Sequence, residues 1–174
     1  CQSLLAPSPT DRAVFPYGGP TADATHRVKY GGRSDLAPAF GALMADAAKP
    51  LIGCVDAVVH VPLHSRRRRQ RGFDQSALLA KPVARALGVK ARLRGLQRVR
   101  YTQSQVDLPR SKRLGNVRGA FRSGRLHSAK RVLLIDDVKT TGATLGAASD
   151  ALRAAGVETV RTLAMSFGPR LPCR

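Results

Sequence analysis

The chain has 174 residues, and its 30 lysines and arginines against 11 aspartates and glutamates give a formal net charge of +19. This length favours a single domain over residues 1–174, and a hydrophobic content of 43% argues for a globular fold and against intrinsic disorder. No apolar run approaches the roughly 20 residues of a membrane-spanning helix, and no secretory signal is visible. With only three cysteines and no CxxC pair, we expect a cytoplasmic protein without membrane insertion.

The excess of basic residues predicts a polyanionic partner, such as nucleic acid or a phosphate compound. The segment "HSRRRRQR" at His64–Arg71 holds five arginines, and a second basic group runs through residues 92–125. An arginine run is equally compatible with a solvated loop. The spacing of Cys54, His60 and His64 matches no zinc pattern, so we predict no metal ligands there.

The first half of the chain is predicted to alternate helices and strands. Residues 1–20 are rich in Pro, Gly and Ser, which predicts an irregular lead-in. The predicted elements are a short strand at 12–15, a helix at 36–48, a buried strand at 56–62 and, beyond a basic loop, a helix at 75–88. Gly88 suits the helix C-terminus, whereas Pro82 predicts a kink or a break inside this helix.

The second half repeats the pattern. It predicts a short strand at 91–97, a polar loop with a short helix at 100–118, a buried strand at 131–136, a helix at 142–156 and a strand at 159–167. Strands and helices that alternate at this spacing are typical of an α/β fold with a largely parallel sheet.

Two adjacent acids, Asp136 and Asp137, end the strand at 131–136, and the small and hydroxylated residues that follow lead into the next helix. Ligands of open α/β sheets bind beyond the carboxyl ends of the strands. We expect the two acids to be exposed there and to bind vicinal ribose hydroxyls. The turn presents free N–H groups at a helix N-terminus, which suits a phosphate; its residues are Thr140, Thr141, Gly142, Ala143 and Thr144.

Capping of the helix is the alternative role for these acids, but it accounts for one acid and not for two acids followed by three threonines. The nucleotide-binding patterns GxxxxGK[ST] and GxGxxG are both absent from the chain. The pattern therefore favours a ribose 5-phosphate compound as ligand.

The segment "VLLIDDVKTTGAT" at 132–144 resembles the phosphoribosyl-pyrophosphate (PRPP) motif of type I phosphoribosyltransferases. The segments at 26–33, 61–80 and 100–121 resemble the ComF group, which is associated with DNA uptake in bacterial competence. The likeness covers about residues 12–166. It implies a type I phosphoribosyltransferase-like fold, with a mainly parallel twisted sheet flanked by helices and a flexible loop over the site.

The resemblance also implies roles for single residues. Asp136 and Asp137 would be the catalytic acids on the ribose, and the turn at 140–144 would bind the 5-phosphate. The pyrophosphate would be bound by Arg66, Arg71, Gly72 and Lys29, and the flexible loop would include Tyr101, Thr102, Gln105, Arg113 and Asn116. Mg²⁺ would be held mainly by pyrophosphate and ribose oxygens, so no protein metal site is expected.

The chain departs from the ComF pattern twice. Asp74 stands where the family usually has Asn, and Cys1 alone matches the last cysteine of an N-terminal zinc module, which we expect upstream of residue 1. Three functions stay open: transfer of phosphoribose to an unknown acceptor, PRPP binding in competence with a helicase-like partner and single-stranded DNA, and nucleic-acid binding on a retained fold. Aromatic residues are only 5% of the chain, which gives little support to base stacking.

Overall fold

The computed structural model describes residues 11–30, 34–102 and 115–168, with the side chains of 28–30 and 34 outside the description. Five parallel strands form the central sheet in the order β1-β7-β6-β2-β3, and β4 pairs with β5 in a separate antiparallel ribbon. The strands are β1 (Asp11–Pro16), β2 (Ala57–His60), β3 (Lys90–Ala91), β4 (Leu96–Arg98), β5 (Phe121–Ser123), β6 (Arg131–Lys139) and β7 (Thr159–Phe167).

The helices cover both faces of this sheet. They are α1 (Gly19–Tyr30), α2 (Ala37–Ala48), α3 (Ser65–Arg71), α4 (Gln75–Ala86) and α5 (Ala143–Arg153). Within the described residues, no helix combines the length and the apolar composition needed to cross a bilayer.

Strand β6 lies at the centre of the sheet because its apolar run can be buried on both faces. Successive side chains of a strand point to opposite faces. Val132 and Leu134 pack with α5 and the β4–β5 ribbon, whereas Leu133 and Ile135 pack with α2 and α4. This placement carries the carboxyl end of β6 to the edge where α4 and α5 both begin.

Helices α2 and α4 approach each other closely where Gly41 faces Pro82. A Cβ atom on Gly41 would lie 2.4 Å from Pro82 Cγ, which is shorter than any normal contact. A kink or a break was predicted at Pro82; the break is wrong, because α4 is continuous from Gln75 to Ala86. Gly88 follows the helix with φ +67°, which confirms its predicted role at the C-terminus.

Other predictions differ in part from the structure. The short strand near residue 12, the helix at 36–48 and the strands at 56–62, 131–136 and 159–167 are confirmed, with β6 continuing to Lys139. The lead-in is less irregular than expected, since it contains β1 and the start of α1. The strand predicted at 91–97 is two strands in two different sheets. The basic loop predicted before the helix at 75–88 is in fact helical at its centre, where α3 forms, so that prediction is wrong. Strand β5 was not predicted.

Candidate functional site

Asp136 and Asp137 lie at the carboxyl end of β6 and are both buried, with 7% and 9% of their surface exposed. The first turn of α4 covers them. Ser76 Oγ donates to Asp136 Oδ1 at 3.2 Å, and Gln75 Nε2 donates to Asp137 Oδ2 at 3.2 Å. The expected exposure of the two acids is therefore wrong, because a helix joined to the neighbouring strand β2 holds both carboxylates in place.

Asp74 is the residue that fixes the start of α4. As the N-cap it accepts a hydrogen bond from Ala77 N at 3.3 Å, and its other oxygen accepts one from Leu63 N at 2.9 Å. The buried His60 Nε2 lies 3.7 Å from the same Asp74 oxygen. The aspartate that departs from the family pattern thus connects the end of β2 to the helix that holds the two acids.

The turn at 140–144 connects β6 to α5. Gly142 is the N-cap of α5 with φ 79°, a conformation that glycine adopts without strain, and it offers no side chain to cap the helix. Thr141 Oγ1 accepts from Ala143 N at 3.3 Å. Gly168, just after β7, donates its N–H to Lys139 O at 2.8 Å and so fixes the start of the turn. The first turn of α5 therefore faces a region suited to an anion.

A groove of about 850 Å³ extends from this turn along α5 toward β1 and β7. Thr140, Thr141, Gly142 and Ala143 line it, together with Arg118 and Arg153 and residues of β1 and β7. Asp136 and Asp137 are not among the lining residues. The groove therefore borders the turn, and the two acids precede it in the same strand-to-helix connection.

Asp11 on β1 connects the first strand to this turn. Its carboxylate accepts from Lys139 Nζ at 2.9 Å and from Thr162 Oγ1 at 2.6 Å. Burial acts to raise the pKa of Asp11, but the hydrogen bonds from Thr162 and Lys139 and the charges of Lys139 and Arg153 outweigh it, so the pKa lies below its ordinary value. The charge of Lys139 at the groove is thereby largely compensated.

Helix α3 presents the arginine run. Arg66 and Arg67 lie over the ring of Tyr101, with guanidinium carbons 5.2 and 5.5 Å from its centre, and His64 meets the same ring edge-on. Gly72 ends the helix in the left-handed conformation, with φ 79°. Arg66 is exposed and Arg71 is half-buried. Lys29 belongs to α1, but its side chain lies outside the described residues.

The predicted loop is described at its two ends. Tyr101 and Thr102 lie at one end, and Asn116 lies in a helical turn at residues 115–117, where its carbonyl accepts from Arg100 Nη2 at 3.0 Å. Gln105 and Arg113 lie outside the described residues. In the described ranges, no group of three or more His, Cys, Asp or Glu side chains comes together to bind a metal.

Sequence reasoning missed three residues of this site: Asp11, Gln75 and Ser76. The pattern "DQSA" at 74–77 carried a signal for two of them, because an N-cap residue places the following side chains in the first turn of a helix. Asp11 is brought to the turn only by the pairing of β1 with β7.

Comparisons with known proteins show which family the chain resembles. The family model described as "Phosphoribosyl transferase domain" matches residues 74–170, which include the start of α4, the two acids and the turn. "DNA utilization protein YhgH" of Salmonella typhi is 34% identical over 165 residues, which are 91% of this chain and 73% of that protein. "Competence protein F" of Haemophilus influenzae is 36% identical over 109 residues, 61% of this chain and 48% of its own.

The chain belongs to the ComF family of phosphoribosyltransferase-like proteins. The glutamine PRPP amidotransferase of B. subtilis, solved with ADP and GMP, has the same fold as this ComF protein at a TM-score of 0.53 and 24% identity. The match covers 86% of the ComF chain and 32% of the amidotransferase, so the present chain spans about a third of that protein. The expected type I phosphoribosyltransferase-like fold is confirmed.

Proposed function

We propose that this ComF protein binds PRPP, with the ribose hydroxyls on Asp136 and Asp137 and the 5-phosphate on the turn at 140–144. The observation that carries the proposal is that Ser76 and Gln75 each hold one of two adjacent carboxylates at the end of β6. Each carboxylate has lone pairs for about four hydrogen bonds, so each acid can accept from a ligand as well as from α4. A vicinal diol supplies two O–H donors, one for each acid.

Mg²⁺ fits this donor set. The candidate ligands near the site are carboxylate oxygens, which Mg²⁺ prefers, and a ligand pyrophosphate would supply the remaining oxygens. Asp136 and Asp137 are the residues that would lie closest to the ion. When bound, the ion would neutralise charge on the pyrophosphate. The protein would contribute the two acids, which orient the ribose, and the arginines of α3.

Transfer of the phosphoribosyl group is the reaction that follows from this binding mode. The bond from C1 to the pyrophosphate oxygen breaks with its electron pair leaving on pyrophosphate, a nitrogen of the acceptor forms the new bond to C1, and that nitrogen releases its proton. The ribose ring gains positive charge in the transition state, which the two carboxylates stabilise. Arg71 and Gly72, at the end of α3, are proposed to contact the leaving pyrophosphate.

The test is a calorimetric titration with PRPP and Mg²⁺. Replacing both acids, Asp136→Asn with Asp137→Asn, should weaken PRPP at least about tenfold, since each charged hydrogen bond is worth roughly 1.5–3 kcal/mol. Because both acids are buried, thermal melting must show that the variant is folded. Asp46→Asn, an exposed aspartate on α2, is the control. Equal PRPP affinity in a folded double variant would remove the acids from the site.

A second function, binding of single-stranded DNA in competence, is favoured by one specific contact. Tyr101 is 46% exposed, and its ring centre lies 5.2 and 5.5 Å from the guanidinium carbons of Arg66 and Arg67, so aromatic and basic groups meet on the surface although they are far apart in the sequence. A base can stack on such a ring while the arginines attract phosphates. The relatives named for DNA utilization and competence support this role, with a helicase-like protein as the proposed partner.

This second function predicts electrostatic binding without sequence preference. The affinity for a random labelled oligonucleotide should fall with salt at a log–log slope of about −0.7 per phosphate contact, measured by fluorescence anisotropy. PRPP should compete at least in part, because α3 is proposed for both ligands. A salt-insensitive affinity, or a clear preference for one sequence, would exclude this mode of binding.

A further inference from the structure

Arg98 is the most unusual charged residue beside the acids. It lies on β4, half-buried, with its guanidinium carbon 5.3 Å from the centre of the Phe121 ring on β5. Its Nη2 donates to Thr102 Oγ1, and the carbonyl of Thr102 accepts from Arg67 Nη2 at 3.0 Å. Thr102, at the start of the predicted loop, therefore accepts hydrogen bonds from two guanidinium groups, one on β4 and one on α3.

These two arginines have no carboxylate partner at ion-pair distance among residues 11–30, 34–102 and 115–168. Burial lowers the pKa of Arg98, the positive charges of Arg67 and Arg100 lower it further, and Asp136 is the one neighbour that opposes them. Arg98 Nε is also buried with no hydrogen-bond partner in the described part of the chain. Buried cations are normally paired with an anion. Arg98 and Arg67 have no such anion among the described residues.

We propose that Arg98 and Arg67 form an anion subsite that takes an oxyanion of the ligand whose ribose lies on Asp136. The proposal rests on the proposed function and adds a residue pair to it. Guanidinium groups bind phosphate and carboxylate oxygens with paired N–H donors, and both anions fit this chemistry. The oxyanion has two sources: the pyrophosphate of PRPP, or an acid group on the acceptor.

The subsite differs from the arginines that the sequence pattern selected. Arg66 is exposed and lies on the outer part of α3 over Tyr101, and Arg71 lies at the far end of that helix. Arg98 instead belongs to β4, and its charge interacts with that of Asp136. An anion held there would lie beside β4 and not on α3 alone.

The first arm of the test asks whether the oxyanion is pyrophosphate. Arg98→Met should weaken PRPP and inorganic pyrophosphate, each with Mg²⁺, by about tenfold or more, and should leave ribose 5-phosphate unchanged. Arg98→Lys should recover part of the loss because it keeps the charge. Arg94→Met, an exposed arginine between β3 and β4, is the control and should bind all three compounds normally.

The second arm asks whether the oxyanion belongs to the acceptor. With PRPP and Mg²⁺ present, nicotinate and orotate are compared with their neutral counterparts nicotinamide and uracil, by calorimetry and by pyrophosphate release. Nicotinate and orotate would then bind more tightly, or release pyrophosphate faster, than the neutral compounds. Loss of this difference in Arg98→Met and Arg67→Met, with PRPP affinity unchanged, would assign the subsite to the acceptor. Unchanged affinity for PRPP, pyrophosphate and every acid in both folded variants would overturn the proposal.

Failure of the proposed function gives a different result. If the wild-type protein binds neither PRPP nor ribose 5-phosphate, the assignment of the acids fails and the subsite loses its basis with it. If ribose 5-phosphate binds and responds to Asp136→Asn but no anion responds to Arg98, only the subsite is wrong. Thermal melting of each variant separates a lost contact from a lost fold.

Discussion

Ser76 Oγ lies 3.2 Å from Asp136 Oδ1, so a hydroxyl in the first turn of α4 holds the first acid of the β6 strand. Asp137 N donates to the same oxygen at 2.9 Å. One oxygen of Asp136 is therefore fixed by two donors, and its orientation is set before a ligand arrives. Such preorganisation lowers the entropic cost of binding.

Removal of this hydroxyl should weaken ligand binding more than it weakens the fold. Ser76→Ala loses a hydrogen bond worth about 1 kcal/mol and frees the carboxylate to rotate, so affinity for ribose 5-phosphate should fall by about fivefold in calorimetry. Ser123→Ala is the matched control, because the Ser123 hydroxyl is buried on β5 with no hydrogen-bond partner in the described residues. An equal loss of affinity in both variants would argue against a specific role of Ser76.

The two hydrogen bonds that Asp74 accepts predict a graded effect of substitution. Asp74→Ala removes the N-cap of α4 and leaves Leu63 N without its acceptor, which should cost about 2–3 kcal/mol in urea denaturation. Asp74→Asn keeps one acceptor oxygen and should cost about half as much. If both variants lose the same stability, the negative charge opposite His60, and not the cap, is the decisive contribution of Asp74.

The fold and the turn at 140–144 were predictable because each depends on a local pattern. The apolar run of β6, the acids at its end and the Thr-Gly turn follow one another within residues 131–144, and α5 has a clear helical period. Strand β7 was predicted with its observed bounds, since a buried strand between two turns gives a strong signal.

The rest depends on contacts between distant residues. Ser76 and Asp136 are 60 positions apart, and Thr162 and Asp11 are 151 apart, so no local pattern indicates either pair. Helix α3 was missed because its seven residues are all polar and show no hydrophobic period. The helix is bounded by its ends, where His64 accepts from Arg66 N and Gly72 adopts a left-handed conformation.

Substitution by alanine should have opposite effects on stability at two glycines, Gly41 at the contact of α2 with α4 and Gly146 in α5. Gly41→Ala places a methyl group 2.4 Å from Pro82 Cγ, so the helices must separate, at a cost of about 1–3 kcal/mol in the free energy of unfolding. Gly146→Ala, inside α5 with no atom within 4 Å of the added methyl, should stabilise by about 0.5–1 kcal/mol. Thermal and urea unfolding measure both. A neutral Gly41→Ala would show that α2 can shift without loss of packing.

The ion pair between Asp11 and Lys139 predicts a pH-dependent contribution to stability. The pKa of folded Asp11 lies below the ordinary value of 3.8, so its stabilisation is fully present above that value and is lost as the pH falls through the folded pKa. Asp11→Asn should cost about 1 kcal/mol at pH 7, where the pair is partly exposed, and progressively less below pH of about 4. A double-mutant cycle with Lys139→Met, measured by urea denaturation at several pH values, isolates the pair from the hydrogen bond of Thr162. A coupling energy that stays constant down to pH of about 2 would show that the Asp11 carboxylate does not supply the interaction through its charge.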